Sequence, residues 1–299
     1  MKDNGLLVQY FNANTPADQT LWAKAAKDAV TLKKIGATAV WFPPATKGAA
    51  GKEDMGYAPY DLYDLGEFNQ KGSVGTRYGT KKEYLEAIDA MKAQGINVYA
   101  DIAVRQKLGA DSVEKVTAAD FNAKDIPQMI GNKKIVGALS KFTFAGRRSK
   151  YSKFKWNWNH FAGIDWQQDD FKKRVCELSG MTEEEAEKKY KLSKYDYIIG
   201  SELDLYNQEV YDELMTWAKW YEDVTGVDGF RFQEAEKVPG WFIRDFAEAA
   251  SNAGEEEKEI FTVGDFWHWR CDYINDYIAS ADNQPSMFDV PLHFSFHDA

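Results

Sequence analysis

Basic residues, cysteine and long apolar runs are all scarce in this 299-residue chain, and each scarcity excludes something. Lys and Arg number 37 against 47 Asp and Glu, a formal charge of −10. With no basic excess to release counterions from phosphates, the chain is not expected to bind nucleic acid or an anionic membrane. Two cysteines, Cys176 and Cys271, exclude a disulfide framework and leave room for one bridge at most; both are expected to be ordinary thiols. The opening stretch MKDNGLLVQYFNANTP has one Lys and a short apolar segment interrupted by Gln9. It reads as neither signal peptide nor membrane span, so a cytoplasmic location is expected. There is no internal repeat and no low-complexity tract. The four histidines, His160, His268, His293 and His297, share no metal-ligand spacing and read as structural.

What the chain has in excess is aromatic side chains: ten Trp, sixteen Tyr and eighteen Phe. Most are expected in the core, and the remainder would lie in a cleft, where flat sugar faces stack on π systems. The length permits two domains or one large α/β barrel. Residues 6–11 (LLVQYF) read as a strand, and Trp22, Ala25, Ala26, Ala29 and Leu32 follow at helical spacing. Gly36 stops that helix, and residues 38–42 (TAVWF) form a buried strand ended by Pro43 and Pro44. Tyr84, Leu85, Ile88 and Met91 mark a second helix, and residues 97–104 (NVYADIAV) a third strand.

This is the pattern of parallel βαβ units. It stops at about residue 105 and resumes near 206, so the division expected is 1–104, an inserted subdomain at 105–205, and 206–299. Within the insert, TEEEAEKKY reads as a solvated helix face. Beyond it, Val210, Leu214, Trp217, Tyr221 and Val224 mark a helix, residues 227–232 a strand, 241–250 a helix, 260–264 a strand and 274–278 a helix. Residues 287–292 read as a sixth strand. No GxGxxG turn follows the first strand, which argues against a doubly wound nucleotide-binding sheet. The α/β class expected is a (β/α)₈ TIM barrel, incomplete at about six strands, with a B subdomain after strand three.

Several blocks resemble bacterial α-amylases in order along the chain. They are GLLVQYF (5–11), DMGYAPYDLYDLGEFNQKGSVGTRYGTKKEYLEAI (54–88), NVYADIAV (97–104) and KFTFAGRRSKYSKFKWNWNHF (141–161). VDGFRF (227–232), FTVGDFW (261–267) and FDVPLHFSFH (288–297) continue the likeness. The resemblance, to glycoside hydrolase family 13, implies the barrel with its B subdomain, calcium, and hydrolysis of α-1,4-glucans with retention. Retention needs a carboxylate nucleophile and a carboxylic acid about 5 Å apart. At the nucleophile position, where the family has Asp, this chain has Gln233, an amide that can neither form the glycosyl ester nor carry the charge. At the general-acid position, Glu in the family, it has Asp265, one methylene shorter.

Residue by residue, the resemblance makes Tyr57, Asp101, Gln106, Arg231, Glu236 and Lys237 the substrate-binding candidates. Tyr57 matches a ring that stacks under the sugar, and Asp101 a sugar-contacting carboxylate. Gln106 replaces a sugar-binding His, and Arg231 matches the Arg beside the nucleophile. Glu236 and Lys237 stand where a Lys–His pair holds glucan. Trp41, Trp156, Trp158 and Trp267 read as core or cleft rings, with Trp156 and Trp158 expected to pack between subdomain and barrel. For calcium, the resemblance leaves Glu202 and Asp204 as metal candidates. Arg105 replaces a residue of the calcium region, Ala162 and Tyr206 replace two carboxylates, and Asp165 has no ligand spacing. The expectation is no cofactor, or weak calcium.

Three functions are weighed: an α-amylase-family protein of impaired catalysis that binds glucan or maltooligosaccharide, a weak hydrolase using Asp265 with Glu234, and an interaction subunit or fragment without a carbohydrate role. The family's third carboxylate belongs to a seventh strand, which this sequence does not show. An open barrel would leave two strand edges, expected to be covered by self-association or by a partner.

Overall fold

The computed structural model describes residues 5–121, 129–167, 172–177, 200–254 and 258–297. The TEEEAEKKY run lies outside the described residues. Two sheets organise the chain. The first is wholly parallel and runs in the order β1 (Leu7–Gln9), β2 (Ala39–Phe42), β5 (Asn97–Ile102), β12 (Gly229–Phe232), β13 (Phe261–Gly264), β14 (Ser286–Met287). Chain order and spatial order coincide, as when each strand is followed by a crossover that returns beside it. Six strands of a (β/α)₈ barrel therefore lie within this sequence.

The helices form where apolar spacing and end signals agree. In α1 (Leu21–Lys34), Trp22, Ala25, Ala29 and Leu32 make the buried stripe. In α2 (Lys81–Ala93), a capping box fixes the start: the Thr80 side chain accepts from the Glu83 N–H, and the Glu83 carboxylate accepts from the Thr80 N–H. In α3 (Gln208–Thr225), Asn207 caps the first turn, and Gly226 at φ 64° closes the last. In α4 (Gly240–Ser251), Phe242, Ile243, Phe246, Ala247 and Ala250 face the sheet side. The next helix, α5, is Cys271–Ser280.

One expected element differs. The apolar run at 287–292 is not a strand: pairing ends at Met287, and α6 covers Val290–His297. Pro291 brings no N–H to a ladder but is tolerated in the first turn of a helix.

The second sheet is antiparallel and falls between the third and fourth barrel strands. Its order is β6 (Gln106–Lys107), β11 (Ser201–Leu203), β9 (Phe161–Gln167), β10 (Lys172–Glu177), β7 (Ser112–Phe121), β8 (Met129–Lys141). A short β3–β4 ladder (Lys47–Gly48 with Pro59–Asp61) holds the loop after β2. In that loop Gly56 sits at φ 92°, and a Cβ there would lie 2.6 Å from Pro44. The close approach brings the adjacent Tyr57 over the barrel's C-terminal end. Among the described residues no helix is long and apolar enough to cross a membrane.

Candidate active site

Parallel pairing decides which side chains meet. Arg231 is in register with Asp101 on one side and Val263 on the other. Both charged residues lie toward the C-terminal ends of their strands, where barrels of this type carry their sites. Asp101 is the hub. Its buried carboxylate accepts from the Tyr57 hydroxyl at 2.6 Å, from Trp41 Nε1 at 3.1 Å, and from Arg231 Nη1 at 3.0 Å to each oxygen. Arg231 Nη2 donates to Asp265 Oδ2, and Asp265 Oδ1 accepts the Glu234 backbone N–H at 2.6 Å. One guanidinium thus joins carboxylates from the two strands that flank β12. It also lies over the Trp41 ring, with Cζ 4.7 Å from the centroid, in cation–π geometry.

Burial drives the Asp101 carboxyl up to about 6, while the Arg231 charge and the Tyr57 hydrogen bond work against that rise. Burial likewise raises Asp265, again opposed by Arg231. The Tyr57 hydroxyl is held protonated by burial and by the Asp101 charge beside it.

A second cluster lies beside the first. Gln233, half-buried, donates its backbone N–H to the Ile102 carbonyl at 3.3 Å. The next residue, Glu234, takes φ 49°, a left-handed conformation uncommon for a non-glycine residue. Its carboxylate pairs with Arg105 Nη2 at 3.1 Å and with Lys237 Nζ. Arg105 Nη1 also lies 4.0 Å from Glu202 Oε1. Glu236 is raised by burial, and its Oε2 has no hydrogen-bond partner among the described residues. Gln106 is buried and donates its amide to the Tyr57 carbonyl at 3.0 Å.

The structure therefore joins Tyr57, Asp101, Arg231 and Asp265 in one network, with Trp41 as an added member. Glu236 and Lys237 stand on the 3₁₀ turn after Glu234, and Gln106 reaches the network through the Tyr57 backbone. The metal candidates come together less well. Asp204 Oδ1 accepts the Tyr206 N–H at 3.2 Å, and Glu202 faces Arg105. Tyr206 is exposed with its ring edge against Trp241, and Ala162 is buried without a side-chain oxygen. The Asp165 N–H donates to the Gly200 carbonyl. Calcium wants six to eight oxygens, and among the described residues no group of three or more His, Cys, Asp or Glu is placed to hold a metal. These residues do not fit calcium.

Other expectations resolve individually. Trp156 is buried against Phe154, His160 and Phe161. Trp158 departs from the packing role expected of it: it is 38% exposed. Trp267 is 56% exposed, edge-on to His293. His160 is buried; its Nδ1 accepts the Asn157 N–H and its Nε2 pairs with Glu209. His268 stacks on Tyr273. Cys271 is an exposed free thiol. Sequence reading did not single out Trp41 as the partner of both Asp101 and Arg231. Its place at the end of the second barrel strand was the available signal.

A parallel barrel sheet with an antiparallel insert after its third strand defines an incomplete (β/α)₈ barrel, with charged groups at the strands' C-terminal ends. No protein-family model matches the chain. It is 42% identical over 298 residues to an α-amylase of Geobacillus stearothermophilus, covering 99% of this chain and 54% of that protein. It is 35% identical over 305 residues to a cytoplasmic α-amylase of Escherichia coli, covering 99% and 60%. Among solved structures, an α-amylase of Geobacillus thermoleovorans matches with a TM-score of 0.56 and 17% identity over 96% of this chain and 51% of that one, a likeness of fold. The chain spans little more than half the length of these curated relatives. Over that span it belongs to the α-amylase family.

Proposed function

We propose that this chain is an α-amylase-family protein that binds α-glucan or maltooligosaccharide and whose hydrolytic chemistry is impaired. The observation that carries the reading is the pairing of Gln233 with a restrained Asp265. An amide at the nucleophile position supplies neither the attacking oxygen nor a negative charge for an oxocarbenium ion. Asp265, at the acid position, has one oxygen on Arg231 and the other on the Glu234 N–H. A shorter acid so held reaches less far toward a leaving oxygen, and misplacement of about 1 Å can cost on the order of a hundredfold. Tyr57, half-buried, gives the same end of the barrel a ring on which a sugar can lie. Residues 1–104 and 206–299 would supply the barrel part, and 105–205 the B subdomain.

The deciding experiment is calorimetric titration with maltoheptaose, paired with a reducing-sugar assay on the same sample. Binding without turnover supports the proposal. Turnover within about tenfold of an ordinary amylase overturns it. A flat titration with no turnover points instead to an interaction role.

A second reading, a weak hydrolase using Asp265 with Glu234, draws on two observations: burial raises Asp265, and Glu234 is hydrogen-bonded to it. Against it, the Glu234 carboxylate is held by Arg105 and Lys237. We also place the protein in the cytoplasm, on its low cysteine content and its likeness to a cytoplasmic relative. Self-association through the outer strands of the barrel sheet belongs to the same proposal.

A further inference from the structure

We infer that Arg105 is a built-in cation that ties the second sheet to the catalytic end of the barrel, at the junction for which the family resemblance implies calcium. The inference rests on family membership and on geometry, and is independent of whether the site binds glucan.

Arg105 follows the third barrel strand and immediately precedes β6, so it lies where the chain passes from one sheet to the other. Its carbonyl accepts the Leu203 N–H at 2.7 Å, which docks its backbone on β11. Its side chain is 4% exposed and runs between two carboxylates from different parts of the fold. Glu202 belongs to β11 of the second sheet, and Glu234 to the loop after β12 of the barrel. A guanidinium suits this place because its planar fork of donors can serve two carboxylates at once without shedding a tight hydration shell. A divalent ion does not suit it. A fixed positive charge already faces Glu202, and the surrounding positions offer Ala162, an exposed Tyr206, and an Asp204 engaged with a backbone N–H.

The tie reaches the candidate acid. Glu234 holds its left-handed backbone while its side chain is anchored by Arg105 and Lys237 and its N–H is given to Asp265. Arg105 is therefore a positioning residue: it fixes Glu234, and Glu234 fixes one oxygen of Asp265.

The test uses thermal melts of the full 299-residue chain in millimolar calcium and in chelator, with a double-mutant cycle of Arg105→Lys and Glu234→Gln. The wild-type melting temperature should move by less than about 2 °C between the two conditions. The Glu234→Gln loss should shrink in the Arg105→Lys background, because the two changes remove one interaction. Hydrogen exchange at the Glu234 amide should speed up in Arg105→Lys, an effect that general destabilisation, spread over all amides, would not reproduce. A wild-type rise of more than about 5 °C in calcium, reversed by chelator, would overturn the inference. Additive losses in the cycle, or unchanged exchange at Glu234, would overturn it as well. Should Arg105→Lys fail to fold, the wild-type calcium comparison still decides.

Discussion

The Trp41 indole covers the Arg231 guanidinium at 4.7 Å while giving its own N–H to the carboxylate that this guanidinium neutralises, Asp101. A single ring thus serves both members of a buried ion pair. A buried pair contributes well only when its remaining lone pairs and protons are satisfied. Here Tyr57 and Trp41 both donate to Asp101 Oδ2 and Asp265 takes the second arm of the guanidinium, while the buried Arg231 Nε has no hydrogen-bond partner among the described residues.

Trp41→Phe separates the two roles, since it keeps a ring over Arg231 and removes the donor to Asp101. The expected loss is about 1.5–3 kcal/mol of stability, the range for a hydrogen bond to a charged group. Trp41→Ala should lose more, because the cation–π contact goes too. Urea denaturation of the two variants at neutral pH measures both. Equal losses would mean that the ring over Arg231 adds nothing, and an unchanged Trp41→Phe would mean that the indole N–H adds nothing.

The raised Asp101 carboxyl carries a sign that can be checked. Its folded value is about 6, against 3.8 for the unfolded chain. Between those values the folded state holds a proton that the unfolded state has released. Linkage then lowers stability as pH rises through the window, with the full cost present above about 6. Asp265, also raised by burial, works in the same direction. Relative to Asp101→Asn, the wild type should therefore lose stability from pH 4 to 6 and run parallel above that. Melting curves of both proteins across this range test it; a difference independent of pH would place the carboxyl back at its ordinary value.

Restoring a carboxylate by Gln233→Asp should not restore an amylase. The new group would gain the charge that the position lacks, yet Asp265 would remain held by Arg231 and the Glu234 N–H, and Gln106 would remain turned to the Tyr57 carbonyl. Groups that act as a unit lose most of their effect when any member is missing. Release of reducing sugar from a maltooligosaccharide should stay orders of magnitude below that of an ordinary amylase. Full activity from this one change would show that Asp265 serves as the acid despite its length.

The barrel strands were legible because each is a short apolar run between helices of clear 3.6 periodicity: residues 97–104 contain β5, and 227–232 contain β12. Residues 287–292 misled because a short apolar run fits strand or helix alike. Two strands of the second sheet were invisible for a different reason. β6 and β11 have two and three residues, too few to show alternation, and they pair across nearly a hundred positions of chain. At the site, family likeness singled out Tyr57, Asp101, Arg231 and Asp265, but not their mutual bonds. Those depend on the register that sets Arg231 beside Asp101. The role of Arg105 is a property of three dimensions only, since Glu202 and Glu234 lie far from it in sequence.

The outer strands of the barrel sheet should drive association between copies. Among the described residues β1 pairs with β2 alone and β14 with β13 alone, so each leaves one side of its backbone without a strand partner. Six strands do not meet the joint requirement of tilt and stagger that closes an eight-stranded barrel. Apolar side chains are exposed toward the C-terminal side: Leu292 at 48% and Phe296 at 75%, both on α6. Open edges and exposed apolar groups favour pairing between copies. Expressed by itself, the 299-residue chain should elute as a dimer or larger species, or bind the dye ANS. Lys substitutions at Gln9, the exposed residue of β1, and at Phe296 should shift it toward monomer, since charge on an edge strand and on an apolar patch opposes such pairing. Light scattering after size exclusion, at several protein concentrations, reads the outcome. A monodisperse monomer with a sharp cooperative melt and no dye binding would mean that the outer strands are stable uncovered.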